Sequence, residues 1–393
     1  MGKTILVLGG GWGGLAVAFR LRGQLGPEHR VVVIEKNDKF SLGPVNLWVM
    51  TGDRKYPDDV ERPLSALARQ DIEWLQAEVT RIDPENKTVH TSAGTLTGDY
   101  LVIALGAESY PEGVPGFAPH AHNLFDAAGA ARLHDALQQF NGGKIVIFVS
   151  NTPFRCPPAP YEAALLIESM MRQRGLGEKT EIHLYTPESQ PMPVAGPEIG
   201  AMLRQMVEGR GIKYHPNEKV MRIDGASKKI VFEGDKESNY DLLIGVPPHR
   251  APRVIVEAGL TDSSGYIPTH PQNLRVLADV EELETRLPGV FVIGDSASIM
   301  LLNLKPLPKA GVFAEEQAAA VASNIASDIR GEAPRAVFDG KGVCYIEAGD
   351  GMAAEGSGNF YAYPVPRISI NPPSVAGHKA KEEFEKLLKT WFV

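Results

Sequence analysis

Short apolar runs alternate with longer helical patterns along this chain of 393 residues. TILVL, VVVIEK, YLVIALGA, KIVIFVS and TEIHLY have the length of strands, whereas LLIESMMRQRG and AAAVASNIA have the spacing and composition of helices. Strands that alternate with helices predict an α/β fold with parallel sheets. No apolar run approaches the ~18 residues that a membrane-spanning helix needs.

The first strand–turn–helix–strand pattern contains a glycine-rich turn. Gly9, Gly11 and Gly14 fit the spacing G-x-G-x-x-G. The first glycine permits a tight turn, the second lets the backbone approach a pyrophosphate, and the third lets the helix pack on the strand. Glu35 ends the next strand, where a carboxylate binds an adenosine ribose hydroxyl. The pattern predicts a dinucleotide site, with NAD and FAD both open.

Two later segments favour FAD. LTGDYLVIALGAE contains Gly106 after a strand, and LPGVFVIGDSAS ends a strand at Gly294 and Asp295. Both resemble the second and third flavin motifs of the flavoproteins with two dinucleotide-binding domains. By that resemblance Asp295 binds the ribityl or pyrophosphate part of FAD. A capping aspartate after an edge strand is the structural alternative.

An alanine-rich helix is predicted over Ala314 to Ala326, after the segment LPKAGVF. In the same resemblance its N-terminus points at the pyrimidine edge of the flavin, where the positive end of a helix stabilises reduced flavin. Lys309 would add positive charge there. The alternative for Lys309 is a solvated surface lysine.

A second unit of the same kind is predicted within residues 120–255, but its turn, NTPFRCPPAPYE, has no glycine. Within residues 157–160, only Ala159 has a backbone N–H, and a phosphate needs several at a helix start. We expect the helix to begin at Pro160 or later, with Cys156 extended before Pro157. NAD(P)H should therefore bind poorly.

Composition excludes several classes of protein. The formal net charge of −8, without a basic block, excludes a nucleic-acid surface. Two cysteines, Cys156 and Cys344, exclude a disulfide scaffold and show no metal-ligand spacing, so no metal is expected. Each is by default a small buried residue. The first strand begins too early for a secretory signal, which predicts a cytoplasmic protein.

Four segments together resemble one family closely: RCPPAPYE, VPPHRAP, LPKAGVFAEEQ and GVCYIEAG. The chain is similar to the sulfide:quinone oxidoreductases and to the flavoprotein subunit of flavocytochrome c sulfide dehydrogenase. The resemblance implies that Cys156 and Cys344 meet over the flavin as a redox-active disulfide or polysulfide. Hydrosulfide would attack one sulfur, and two electrons would pass to FAD. Glu162 is a candidate proton carrier, or else a helix-dipole acid in the first helical turn.

The sequence departs from both branches of that family. Many quinone-linked members have a third essential cysteine, and this chain has none. The cytochrome-linked subunit usually holds its flavin covalently through a cysteine, but FSLGPVNLWVMTG has no cysteine, so FAD should be non-covalent. Our main prediction is sulfide oxidation with a quinone as acceptor. A cytochrome or other soluble acceptor, an NAD(P)H-dependent flavin reductase and a flavin-binding scaffold remain alternatives.

The last segment, AGHKAKEEFEKLLKTWFV, predicts a helix with an apolar face formed by Phe384, Leu387, Leu388, Trp391 and Phe392. That face would touch the inner surface of the cell membrane, as in quinone-reducing members, or dock on the protein itself or on a second copy.

The predicted fold is α/β with two Rossmann-like domains and a C-terminal interface element. The predicted boundaries are 1–115 and 259–332 for a discontinuous FAD domain, 116–258 for the degenerate second domain, and 333–393 for the interface element. The sequence leaves a homo-oligomer open.

Overall fold

The computed structural model describes residues 2–281 and 283–392, except the side chains of Leu387 and Leu388. In that part the helices are α1 Trp12–Arg22, α2 Asn46–Thr51, α3 Phe117–His120, α4 Ala127–Gln139, α5 Ala159–Gln173, α6 Pro197–Gly209, α7 Arg253–Glu257, α8 Gly311–Ile329 and α9 Val375–Lys389. Within the described residues, no helix is both long and apolar enough to cross a bilayer.

The strands follow in chain order. They are β1 Thr4–Leu8, β2 Arg30–Glu35, β3 Lys39–Ser41, β4 Glu61–Pro63, β5 Glu73–Gln76, β6 Val79–Asp83, β7 Thr88–Thr91, β8 Gly94–Thr97, β9 Tyr100–Ile103, β10 Glu108–Ser109, β11 His122–Asn123, β12 Gly143–Val149, β13 Thr180–Tyr185, β14 Lys213–His215, β15 Val220–Asp224, β16 Lys229–Phe232, β17 Glu237–Asn239, β18 Leu242–Val246, β19 His249–Arg250, β20 Ile267–Pro268, β21 Leu277–Asp279, β22 Glu284–Thr285, β23 Val290–Val292, β24 Ala297–Ser298, β25 Lys341–Gly349, β26 Met352–Asn359 and β27 Arg367–Ile370.

The first sheet has the order β23-β9-β1-β2-β5, and its paired strands are parallel. Val7 lies between Val33 and Val102, and all three side chains are fully buried. Strands buried on both faces need continuous apolar runs, which explains TILVL, VVVIEK and YLVI. Helices α1 and α8 pack against each other beside this sheet.

The second sheet has the order β11-β18-β12-β13-β14 and is also parallel. Phe148 of β12 lies between Tyr185 of β13 and Gly245 of β18. The turn with Cys156 leaves the carboxyl end of β12 and leads into α5. The predicted α/β fold with two Rossmann-like units is confirmed.

A third layer is formed by the antiparallel sheet β25-β26-β27 and by α9. Strand β25 packs against α5, and α9 packs against β26. Residues of the second unit and of the C-terminal segment thus lie side by side. The domain boundaries at residues 115, 258 and 332 stay predictions.

The aromatic side chains at the C-terminus dock on the first unit. The ring pairs, with their centroid distances, are Trp12–Phe384 at 5.2 Å, Phe19–Trp391 at 5.6 Å and Phe40–Phe392 at 5.6 Å. For these side chains the structure shows docking on the protein itself. The side chains of Leu387 and Leu388, which complete the predicted apolar face, lie outside the described part.

Candidate active site

Cys156 lies in the turn between β12 and α5, in a conformation that corrects two expectations. Its φ is +51°, in the left-handed region, so it is not extended before Pro157. Helix α5 begins at Ala159, one residue before the predicted start. Two backbone hydrogen bonds hold the turn: Cys156 donates to the carbonyl of Lys309 at 2.8 Å and accepts from Ala159 at 3.0 Å. They offset a conformation that costs about 1–2 kcal/mol for a non-glycine residue.

Cys344 lies on β25. Three residues later, the backbone N–H of Glu347 donates to Glu162 Oε1 at 2.9 Å and so fixes β25 against α5. Both cysteines are partly buried free thiols, and Cys156 is within electrostatic range of Cys344. Two cysteines that are distant in sequence therefore lie in one region of the fold.

A buried ion pair lies within electrostatic range of both sulfurs. Glu162 of α5 is 2% exposed, and its Oε1 accepts a hydrogen bond from Lys381 Nζ of α9 at 2.8 Å. The same Nζ lies 3.6 Å from Glu347 Oε1, and His378 Nδ1 lies 3.1 Å from the Glu347 carboxylate. Three separate chain segments thus build one charged cluster.

The charges act on the cysteines in opposite directions. Burial is the largest cause that raises the pKa of both thiols, and the carboxylate of Glu162 is the next. Together they raise the pKa of Cys156 well above its usual value and the pKa of Cys344 to about 12. Lys381 lowers the pKa of both thiols. Burial also raises the pKa of Glu162, against the effect of Lys381. For Lys381, burial is outweighed by Glu162 and Glu347, so its pKa is raised and it stays charged. The reduced cysteines are therefore neutral thiols near neutral pH.

The contribution of the C-terminal helix to this cluster was not predicted from the sequence. No role was assigned to the lysines and glutamates of α9, but Lys381 is 8% exposed and Glu385 4%. A usable signal was present, because His378 and Lys381 are three residues apart and therefore lie on the same side of a helix. Within the described residues, no group of three or more His, Cys, Asp or Glu side chains is arranged to hold a metal ion.

The predicted dinucleotide turn has the geometry that its glycines require. Gly9 has a φ of +102°. A Cβ on Gly14 would lie 1.9 Å from the carbonyl oxygen of Gly9, so only glycine allows this close packing of helix on turn. A Cβ on Gly11, at the start of α1, would meet nothing within 4 Å. The turn is therefore open on the side where a pyrophosphate would approach.

The other predicted flavin-binding residues border the same turn. Glu35 ends β2, and its Oε2 accepts from the N–H of Gly10 at 2.9 Å. Gly106 follows β9 with a φ of +72°, and its carbonyl accepts from Ser296 Oγ at 3.1 Å. The N–H of Gly294 donates to Gln317 Oε1 of α8 at 2.8 Å. The three flavin motifs thus converge at the carboxyl edge of the first sheet.

Lys309 and Asp295 lie close together in the interior. Lys309 Nζ donates to the carbonyls of Asp295 at 2.6 Å and Ala297 at 3.2 Å, and it lies 3.4 Å from the ring centroid of Tyr266. The side chain is 8% exposed, so the solvated alternative is wrong. Burial lowers the pKa of Lys309 to about 8, against the effect of Asp295. Burial raises the pKa of Asp295, against Lys309 and Arg155.

Comparison with known proteins adds to this geometry. Residues 3–149 match the family of pyridine nucleotide-disulphide oxidoreductases. A sulfide-quinone reductase of Aquifex aeolicus is 27% identical over 98% of this chain and 90% of its own length. A type II NADH:quinone oxidoreductase of Staphylococcus aureus is 24% identical over 89% of each chain. The crystal structure of the sulfide:quinone oxidoreductase of Aquifex aeolicus superposes with a TM-score of 0.86 and 24% identity, covering 99% of this chain and 91% of that one.

The second unit decides between these relatives. Residues 131–247, which include Cys156, match the family described as the central part of the flavoprotein chain of sulfide dehydrogenase (flavocytochrome c). The chain is similar, over nearly its whole length, to the sulfide:quinone oxidoreductases and, over residues 131–247, to the flavoprotein chain of flavocytochrome c sulfide dehydrogenase. It is accordingly a flavoenzyme, an oxidoreductase of the sulfide:quinone oxidoreductase type, and its cofactor is FAD.

The residues of this chain fit FAD. The glycine turn is open at Gly11, and a Cβ on Gly106 would also meet nothing within 4 Å. Two buried polar atoms beside the first unit, Trp12 Nε1 and Asn46 Oδ1, have no partner within the described residues, and such atoms usually find one. The individual binding roles of Glu35, Asp295 and Lys309 stay predictions.

Proposed function

We propose that this flavoenzyme oxidises sulfide at Cys156 and Cys344, passes two electrons through FAD to a quinone, and releases the sulfur as polysulfide or elemental sulfur. The observation that carries the proposal is the position of both cysteines around the buried Glu162–Lys381 pair. Titratable groups whose pKa values are perturbed both by burial and by a specific charged partner are candidates for a functional site, and a buried ion pair beside both cysteines is not needed for packing.

In the proposed cycle, hydrosulfide attacks one sulfur of a Cys156–Cys344 disulfide. The S–S bond breaks, one cysteine becomes a persulfide and the other a thiolate. Reclosure of the disulfide expels one sulfur atom, one proton and two electrons. FAD supplies the two-electron acceptor, and a quinone with two protons becomes the quinol. The structure favours neither cysteine as the first to be attacked.

The chain's own residues manage charge and protons in this cycle. Lys381 lowers the pKa of both sulfurs and so favours the thiolate. Glu162 Oε1 is occupied by Lys381 Nζ and by the N–H of Glu347, whereas Oε2 has no hydrogen-bond partner within the described residues. We therefore assign the persulfide proton to Glu162 Oε2.

The remaining residues hold the cofactor in this proposal. The turn of Gly9, Gly11 and Gly14 binds the pyrophosphate, and Glu35 binds the adenosine ribose. Asp295 binds the ribityl or pyrophosphate part. With two cysteines in the chain and both in the relay, FAD is bound non-covalently.

The start of α5 argues against NAD(P)H as the electron donor. The N–H of Ala159 donates to Cys156, and those of Tyr161 and Glu162 donate to Pro158, each at 3.0 Å. The intervening prolines have no N–H. A pyrophosphate would therefore find no free donor at the place where a second dinucleotide usually binds.

Peripheral membrane contact, on the cytoplasmic side, belongs to the same proposal because quinones dissolve in membranes. Three apolar residues of one loop, Met300, Leu302 and Leu304, are 46%, 64% and 83% exposed. Exposed apolar side chains in one loop suit a lipid surface.

Anaerobic titration of the holoenzyme with sulfide tests the proposal. Sulfide should bleach the flavin absorbance of the wild type, and decylubiquinone should restore it. Cys156→Ala and Cys344→Ala should each slow bleaching by about 100-fold or more, because each removes a bond-forming atom. Val343→Ala, beside Cys344 on the exposed face of β25, is the matched control and should bleach normally.

Other outcomes identify the alternatives. Wild-type bleaching rates in both cysteine variants would overturn the relay. Reoxidation by cytochrome c but not by decylubiquinone would favour a soluble acceptor. Bleaching by NADH in place of sulfide would favour a flavin reductase, and no bleaching by either donor would favour a scaffold.

A further inference from the structure

A buried histidine without hydrogen bonds lies at the carboxyl edge of the second sheet. His249 follows β18 on β19 and is 5% exposed. Neither ring nitrogen has a hydrogen-bond partner within the described residues. An imidazole always carries at least one N–H, and leaving it unpaired in the interior costs free energy. Such a group in a native fold requires an explanation, and a ligand is one.

Two more polar side chains at the same edge are unpartnered. Ser150 follows the last residue of β12, and its N–H donates to the carbonyl of Val246, the last residue of β18. Ser150 Oγ and Asn151 Oδ1 are buried without hydrogen-bond partners in the described part of the chain. In open α/β sheets, ligands bind outside the carboxyl ends of the strands. The unpaired polar atoms therefore collect where this fold places ligands.

Arg155 connects this edge to Cys156. Its Nη2 donates to the carbonyl of Phe125 at 2.7 Å, and its Cζ lies 5.5 Å from the centroid of that ring. His249 meets the same ring edge-on at 5.2 Å. No other hydrogen bond of the Arg155 guanidinium is found within the described residues. Its remaining N–H groups are therefore available to an anion.

The electrostatics at His249 favour an anionic ligand. Burial and the cations Arg155 and Lys309 lower the pKa of His249 to about 3; the carbonyl of Pro247, outside hydrogen-bond geometry, opposes this only in part. The ring is therefore neutral and keeps one N–H as donor. The nearby carboxylate of Asp295 acts on Arg155 and Lys309 rather than on the imidazole.

We propose that His249 and Arg155 form a binding subsite for hydrosulfide, which holds the anion beside Cys156 before it attacks. The proposal rests on the proposed function, since hydrosulfide is the substrate there. The imidazole donates one hydrogen bond and the guanidinium supplies the charge. Cys156 acts electrostatically on Arg155, so the guanidinium lies within electrostatic range of the sulfur.

Stopped-flow bleaching of the flavin by sulfide separates binding from reaction. His249→Phe keeps the ring contact with Phe125 and removes both nitrogens. It should raise the sulfide concentration at half-saturation about tenfold, the effect of one hydrogen bond to a charged group, with an unchanged limiting rate. His249→Gln, which retains a donor, should recover most of the loss. His183→Phe is the matched control, since that buried histidine of β13 already bonds His215 at 3.0 Å.

A second measurement does not depend on turnover. Crystals of the holoenzyme soaked in sodium bromide should show an anomalous peak between His249 and Arg155, and the peak should vanish in His249→Phe. Absence of the peak in the wild type would overturn the subsite. An unchanged sulfide concentration at half-saturation in His249→Phe would also overturn the subsite. If the flavin spectrum of that variant changed at the same time, the His249 ring would lie against the cofactor instead. If sulfide fails to bleach the wild type, the proposed function is wrong and the bromide peak alone decides whether an anion site exists.

Discussion

At the scale of single residues, the two cysteines are controlled by neighbours of opposite charge. Glu162 raises the pKa of both thiols, and Lys381 lowers it. Both charges are buried, so solvent screens them little. The thiolate population therefore depends on whether the pair is intact.

Removing either partner of the pair should shift cysteine reactivity in opposite directions. Glu162→Gln should lower the pKa of Cys156 and Cys344 and speed their alkylation at pH 8 in the reduced protein, by about tenfold for a shift of one pK unit. Lys381→Met should slow it. Mass spectrometry after timed iodoacetamide treatment measures both rates.

A glutamate outside the cluster provides the control for this experiment. Glu168 lies on the same helix and bonds Arg172 at 3.2 Å, so Glu168→Gln should leave alkylation unchanged. If the Glu162 and Lys381 variants shifted the rate in the same direction, the cysteines would not sense the charge of the pair.

At the scale of elements, α9 is part of the candidate active site rather than a separate tail. It supplies Lys381 to the cysteine cluster, and Arg54 of the first unit holds it through Glu385, with 2.7 Å between Nη2 and Oε2. Arg54 also lies over the ring of Trp48, at 4.8 Å from the centroid. Loss of this docking should therefore disturb the cysteines as well as stability.

Truncating the aromatic contacts of the C-terminus should destabilise the whole protein. Phe384→Ala and Trp391→Ala should each lower the free energy of unfolding by about 2 kcal/mol, less than full burial would give, because both side chains are only half-buried. Urea denaturation followed by circular dichroism measures the loss. Lys386→Ala, on the exposed side of α9, should be neutral.

Liposome flotation tests the alternative that the same aromatic residues insert into a membrane. If the aromatic face inserted into a membrane instead, the Phe384 and Trp391 variants would keep their stability and lose binding to liposomes. Loss of stability with unchanged flotation is the outcome that the docked rings lead us to expect.

At the scale of the whole molecule, the second sheet contains a buried stack of rings that makes stability sensitive to acid. His183 of β13 is 6% exposed, and burial lowers its pKa to about 4. Its ring stacks on His215, and Tyr185 stacks on His215 at a centroid distance of 4.2 Å. The folded protein therefore cannot accept a proton there until the pH is far below the value at which the unfolded chain accepts one.

Acid should thus destabilise the wild type more than a variant without this ring. Between pH 6.5 and pH 4 the unfolded state binds the proton and the folded state does not, so stability falls as the pH falls. When the pH falls from 7.5 to 5, the free energy of unfolding of the wild type should decrease by about 2 kcal/mol more than that of His183→Phe. Urea midpoints at the two pH values measure the difference. His120→Phe, at an exposed position, should behave as the wild type, and equal losses in all three proteins would contradict the assignment.

Local sequence patterns determined the dinucleotide turn, the parallel strands and the proline-containing turn of this protein. The glycine spacing of residues 9–14 predicted the turn that the structure shows. Part of the steric constraint is local, because Gly14 packs on the carbonyl oxygen of Gly9, five residues earlier. The apolar runs predicted the parallel strands, because a strand buried on both faces must be apolar throughout. The prolines after Cys156 predicted the loss of N–H groups, because that loss is a property of the residue itself. The segments around Cys156 and Cys344 carried the family resemblance.

Only the tertiary structure decided what surrounds those cysteines. The left-handed backbone of Cys156 is held by a hydrogen bond that its N–H donates to the carbonyl of the distant Lys309. The burial of Lys381 depends on the docking of α9 beside Glu162. The burial of His249 depends on its position at the carboxyl edge of the second sheet and on the ring of Phe125. A residue type and its spacing fix what a side chain can do chemically. Its pKa, partners and burial are set by groups far away in sequence, and those appear only when the chain has folded.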